Sequence, residues 1–137
     1  MIRVLIADDH PVFRFGLRTL LKADPAMEVV GEAVNGEDAI AQASSLHPDV
    51  ILMDLNMPGM NGCETTQAIH AHCHGKTIPV VAVSADCVGY GYQSRAFEKG
   101  FIACVRKPWE QEALIKIVTK MLRSGVKRHA CFQMESA

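Results

Sequence analysis

Residues 50–62 read VILMDLNMPGMNG: four apolar residues, an aspartate, then a loop rich in Pro and Gly. A short apolar run bounded by turn signals has the character of a buried strand, and this one delivers Asp54 to its carboxyl end. The arrangement recurs on both sides. Ile2 to Ala7 (IRVLIA) runs into Asp8 and Asp9, and Pro79 to Val83 (PVVAV) into Ser84. Phe101 to Val105 (FIACV) is followed by Arg106, Lys107 and Pro108. If these runs are parallel strands, their polar followers share one edge of one sheet. Carboxylates gathered there call for a cation. With Lys107 and Ser84 beside them, that edge suits a phosphoryl group.

Between the runs the spacing turns helical. Val12 to Lys22 carries Val12, Phe13, Leu17, Leu20 and Leu21 at helical intervals, with Pro11 in the first turn and Asp24-Pro25 as the stop. Met27 to Ala33 is expected to be a second strand. Asn35-Gly36 is expected to turn the chain into a helix over Glu37 to Leu46, and Cys63 to Ala71 to form the next one. Tyr92 to Lys99 is a short, weak fourth helix. Trp109 to Arg123 is amphipathic, with Leu114, Ile117, Val118, Met121 and Leu122 on one stripe. Five strand-helix repeats predict an α/β fold, a doubly wound parallel sheet with helices on both faces. Ligands of such sheets bind beyond the carboxyl ends of the strands, where the polar residues lie. The whole is expected to be one domain over residues 1–123, with 124–137 a tail or linker stub that has lost periodicity.

Composition agrees with a soluble globular domain: 49% hydrophobic, 21% charged, net charge -1. No basic excess points to nucleic acid, and no apolar run is long enough for a bilayer. Cys63, Cys73, Cys87, Cys104 and Cys131 are odd in number, widely spaced and without CxxC, as expected of thiols in a reducing compartment. A cytoplasmic protein follows from these features.

Each site residue has a plainer alternative. Asp8 and Asp9 repel one another and suit a shared cation, or one of them caps the helix that Pro11 opens. An all-oxygen donor set favours Mg²⁺. Asp54 is a nucleophile toward phosphorus, or a solvated strand-end carboxylate. Lys107 is a point charge for phosphoryl oxygens, or a surface lysine. Ser84 is a hydroxyl donor, or an ordinary strand end.

Taken together, ADDHPVFRFGL, VILMDLNMPGMNG, IPVVAVSA and RKP, in this order and spacing, resemble the receiver domain of response regulators in bacterial two-component signal transduction. The resemblance covers roughly residues 2 to 123. It implies the flavodoxin-like receiver fold, five strands in the order 2-1-3-4-5 with five helices. It implies Asp54 as phospho-acceptor and Lys107 and Ser84 as phosphoryl contacts. Mg²⁺ or Mn²⁺ would be held by Asp9, Asp54 and the Asn56 backbone carbonyl, with Asp8 acting through water. The donor would be a phosphohistidine on a histidine kinase or histidine phosphotransfer protein. The receiver would catalyse its own aspartyl phosphorylation and dephosphorylation without being a turnover enzyme. Output would pass to a downstream partner through the fourth-helix, fifth-strand and fifth-helix face, with room for a phosphorylation-linked dimer. Direct nucleic-acid or membrane binding is not expected of this segment.

Two features depart from the family pattern. Cys104 stands where receivers carry a switch aromatic, and Phe101 is a poor substitute on the opposite face. Gly89 and Gly91 weaken the fourth helix, which is expected to be frayed and to serve as the mobile output element, with Tyr90 and Tyr92 as anchors for a partner. Asn56 and Asp86 are expected to flank the hydrolytic water. His70, His72, Cys73 and His74 suggest zinc, but their spacing favours a solvated helix end. A degenerate receiver acting only as a docking module is the alternative function. A phosphohydrolase would want a second carboxylate where Asn56 stands, and a flavin module a different first loop.

Overall fold

Six parallel strands make one sheet in the order β2-β1-β3-β4-β5-β6. The strands are β1 (Ile2–Ala7), β2 (Met27–Ala33), β3 (Val50–Asp54), β4 (Val80–Ser84), β5 (Ala103–Arg106) and β6 (Phe132–Met134). The helices are α1 (Pro11–Lys22), α2 (Gly36–Leu46), α3 (Gly62–His72) and α4 (Gln111–Arg123). The computed structural model describes residues 1–72, 78–84, 103–106, 111–123 and 132–134. The weak helix expected over Tyr92 to Lys99, with Gly89, Gly91, Tyr90 and Asp86, lies outside the described residues, as does Lys107. Of Ser84 and Cys104 the backbone alone is described.

Central strands that are apolar at every position must be covered on both faces. Val50, Ile51, Leu52, Met53 and Asp54 are all buried. Alternation then splits the core in two. Leu5, Ile51, Met53 and Val80 face Ala39 and Ala43 of α2 and Ile69 of α3. Val4, Ile6, Leu52 and Val83 face Leu17 and Leu21 of α1 and Leu114, Ile117 and Val118 of α4. The expected stripe on α1 is corrected at two positions: Val12 and Phe13 are exposed, because the buried line runs through Leu17 and Leu21.

The helix ends follow local chemistry. Asn35 caps α2 by accepting the Asp38 N–H at 2.8 Å. Asn61 and Glu64 form a reciprocal capping box at α3: the Glu64 N–H donates to Asn61 Oδ1 at 2.9 Å, and the Asn61 N–H to Glu64 Oε1 at 3.3 Å. Both Asn-Gly pairs thus start helices. α2 ends at His47, left-handed at φ 48, before Pro48.

One strand was not foreseen. Phe132–Met134 pairs in parallel with β5, Ala103 opposite Phe132 and Val105 opposite Met134. Three residues are too few to leave a periodic signal, so the stretch reads as tail. Among the described residues, no helix is long and apolar enough to cross a membrane.

Leu52 lies at the centre of the α1/α4 face, 1% exposed. Leu52→Ala is expected to lower unfolding free energy by about 2–5 kcal/mol, and Thr19→Ala on the exposed side of α1 by less than about 0.5 kcal/mol, measured by urea denaturation. Equal effects would contradict this core assignment.

Candidate metal and phosphoryl site

Strand register brings the acidic residues together. Ala7 pairs with Met53, so the next residue on each strand, Asp8 and Asp54, stands at the same level. Both follow by alternation on the α1 side of the sheet, Asp8 after Ile6 and Asp54 after Leu52. Asp8 is 1% and Asp54 3% exposed. Asp9 begins the turn into α1 and remains partly exposed. One ligating atom from each of Asp8, Asp9, His10 and Asp54 falls within 4.8 Å of the others.

The loop after β3 orients Asp54. The Asn56 N–H donates to Asp54 Oδ1 at 3.2 Å. Gly62, opening α3, presses on the same turn: its N–H donates to the Leu55 carbonyl at 3.1 Å. A Cβ at Gly62 would stand 2.4 Å from the Asp54 carbonyl oxygen and 2.8 Å from Leu55 Cα, both backbone atoms with little freedom to yield. Only glycine lets α3 start this close to Asp54.

The loop after β1 is tied down differently. Asp8 Oδ1 accepts the His10 N–H at 2.8 Å, and Arg14 Nη1 donates to the Asp8 carbonyl at 2.8 Å. Arg14 Nε and Arg18 Nη1 also reach Glu32 on β2, at 3.6 and 2.8 Å. The N-cap of α1 is His10, in extended conformation and without a side-chain cap bond, so neither aspartate takes the capping position.

Three carboxylates this close repel one another unless a cation or proton is shared. The His10 imidazole partly answers that need, its Nδ1 standing 3.2 Å from Asp8 Oδ1, 3.1 Å from Asp9 Oδ1 and 3.7 Å from Asp54 Oδ2. Asp9 Oδ1 takes no hydrogen bond from the described residues despite its burial. An oxygen-rich, convergent donor set of this kind, with Asp8 and Asp54 buried, fits a hard dication.

Of the residues singled out from sequence, the structure unites Asp8, Asp9 and Asp54, with Asn56 hydrogen-bonded to the last. Ser84 ends β4, one residue past the Asp54–Val83 pair, and pairs with Arg106, the residue before Lys107. Of the zinc-like run, Cys73 and His74 lie outside the described residues and only the backbone of His72 is described; His70 Nε2 meets the Ile78 carbonyl at 2.9 Å. Sequence reasoning passed over His10 and Arg14. Their signal was position alone, in the turn that carries Asp8 and Asp9.

Asp54→Asn removes one of three crowded charges while keeping the shape. Without divalent metal, that variant is expected to be more stable than the parent by on the order of 1–2 kcal/mol. Added Mg²⁺ should stabilise the parent more than the variant. Urea melts in chelator and in Mg²⁺ measure both; a variant less stable in chelator would mean that the carboxylates do not strain the fold.

The family model described as response regulator receiver domain matches residues 4–119. The nitrate/nitrite response regulator NarL of Escherichia coli is 42% identical over 116 residues, covering 82% of this chain and 51% of that protein. A protein-glutamate methylesterase/protein-glutamine glutaminase of Methanospirillum hungatei is 41% identical over 110 residues, 79% of this chain and 31% of that one. The chain thus spans about half or less of the length of these curated relatives. Among solved structures, the signal receiver domain of a NarL from Mycobacterium tuberculosis superposes with a TM-score of 0.81 at 30% identity, covering 89% of this chain and 96% of that one. The response regulator domain of Thermotoga maritima CheB gives 0.79 at 30% identity, covering 93% and 98%. The parallel order β2-β1-β3-β4-β5, the acidic nest at its carboxyl edge and these likenesses make this chain a member of the response regulator receiver domain family.

Proposed function

We propose that this receiver is a phospho-accepting switch that takes a phosphoryl group from a phosphohistidine donor onto Asp54. The observation that carries the reading is the buried Asp54 carboxylate, 3% exposed, at a strand end beside Asp8 and Asp9. A buried carboxylate in such company is preset for a reaction that brings a cation and an electrophile together.

In the transfer, an Asp54 carboxylate oxygen forms a bond to phosphorus as the phosphorus–nitrogen bond to the donor imidazole breaks. The departing imidazole keeps the electron pair of that bond. The Asn56 N–H holds the carboxylate plane, so attack starts from a fixed direction. A dication bound by Asp9, Asp54 and the Asn56 carbonyl would neutralise charge on the incoming phosphoryl oxygens. Ser84 and Lys107 would supply the remaining donors. The acyl phosphate carries about two negative charges where the aspartate had one. That added charge draws on the ends of β4 and β5, whose backbones are paired at Ser84 and Arg106. The partners of this reading are proteins of the signalling relay: a histidine kinase or phosphotransfer protein upstream, and downstream an effector on the face formed by β5, Gln111–Arg123 and the helix expected over Tyr92 to Lys99.

With acetyl phosphate and Mg²⁺, the parent is expected to acquire an acid-stable, hydroxylamine-labile phosphoryl label that Asp54→Asn loses entirely. Asp9→Asn should slow labelling by at least about tenfold. Full labelling of Asp54→Asn would refute the acceptor assignment. Beryllofluoride with Mg²⁺ is expected to shift backbone amide resonances of Ser84 and of residues 103–106. Unchanged spectra there would leave the chain without an acceptor-linked switch.

A further inference from the structure

We infer that His10 is a nitrogen ligand in the acidic nest, and that it turns the site toward borderline transition-metal dications such as Zn²⁺. The inference rests on reading the same carboxylates as a dication site and adds a donor to it. His10 Nδ1 lies 3.1, 3.2 and 3.7 Å from oxygens of Asp9, Asp8 and Asp54. A dication with bonds of about 2.0–2.2 Å keeps neighbouring donors about 3.0–3.6 Å apart. The three contacts of His10 Nδ1 already stand at roughly the edge lengths of such a coordination polyhedron, and all four donors lie within 4.8 Å of one another.

The ring is also held. The His10 N–H is anchored on Asp8 Oδ1 at 2.8 Å, and Pro11 stiffens the backbone that follows. The Phe13 ring meets the imidazole edge-to-face, with centroids 5.7 Å apart and planes at 85°. The side chain takes no part in capping α1. Nδ1 therefore faces the carboxylates; it donates to Asp8 Oδ1 at 3.2 Å, and a bound dication would take the place of that proton.

Metal preference follows from the donors. Three carboxylates alone suit Mg²⁺, which prefers oxygen and retains water. An imidazole adds little for Mg²⁺ but is a favoured donor for Zn²⁺, Co²⁺, Ni²⁺ and Cu²⁺. The nitrogen thus separates two classes of ion that the carboxylates alone discriminate poorly.

Titration calorimetry of the whole chain with Zn²⁺ and with Mg²⁺ tests this on the parent, His10→Ala and Asp54→Asn. Only Zn²⁺ that excess Mg²⁺ displaces is counted, which removes binding at other histidines. His10→Ala should weaken this Zn²⁺ binding by at least about tenfold and change Mg²⁺ affinity by less than about threefold. Co²⁺ bound to the parent should give a visible spectrum that changes in His10→Ala. Equal effects on both metals, or Zn²⁺ binding and a Co²⁺ spectrum indifferent to the substitution, would overturn the ligand role while leaving the carboxylate site standing. Failure of the parent to bind Mg²⁺, or unchanged binding of both metals by Asp54→Asn, would overturn the carboxylate site and the inference with it.

Discussion

Like-charge repulsion at one edge of the sheet is the constraint around which this molecule is arranged. Asp8 and Asp54 have no freedom to separate, because the pairing of Ala7 with Met53 holds them level on adjacent central strands. Burial of both faces of those strands supplies the compensating free energy. The polar edge is therefore held in place by the packing of the strands that end there. Arg14 and the Asn56 N–H act on the backbone and on one carboxylate oxygen, and His10 stands against oxygens of all three carboxylates.

Repeated apolar runs ending in polar residues carried most of the fold. The strand starts at Ile2, Met27 and Val50 and the helix stops at Lys22 and Leu46 were legible because Pro, Asn and Gly punctuate them with specific chemistry. The acidic nest was legible for a deeper reason: a parallel doubly wound sheet has one carboxyl edge, and Asp8, Asp9 and Asp54 could go nowhere else. His10 was not legible, since its role depends on side-chain direction within a turn, which no period encodes. Val12 misled because an apolar residue at the start of a helix can face either way. β6 escaped because three residues beside an established edge need only backbone hydrogen bonds, with no hydrophobic pattern of their own.

Receiver membership narrows what the rest of a signalling protein could ask of this unit. NarL and the methylesterase, two differently named proteins, are matched over 51% and 31% of their own lengths. In this chain the acidic nest is built from β1 and β3, at the middle of the sheet, whereas β4 and β5 stand toward the side on which β6 is added. The nest is joined to β4 and β5 by the pairing of Asp54 with Val83 and of Ser84 with Arg106.

The presence of β6 changes what β5 can offer its surroundings. With Phe132–Met134 alongside, β5 has a hydrogen-bonding neighbour on each side, β4 and β6. An intact domain therefore presents no bare ladder of amides and carbonyls at Ala103–Arg106 onto which a foreign peptide could zip. Any visitor that joins by strand addition must either settle outside β6 or first peel it away.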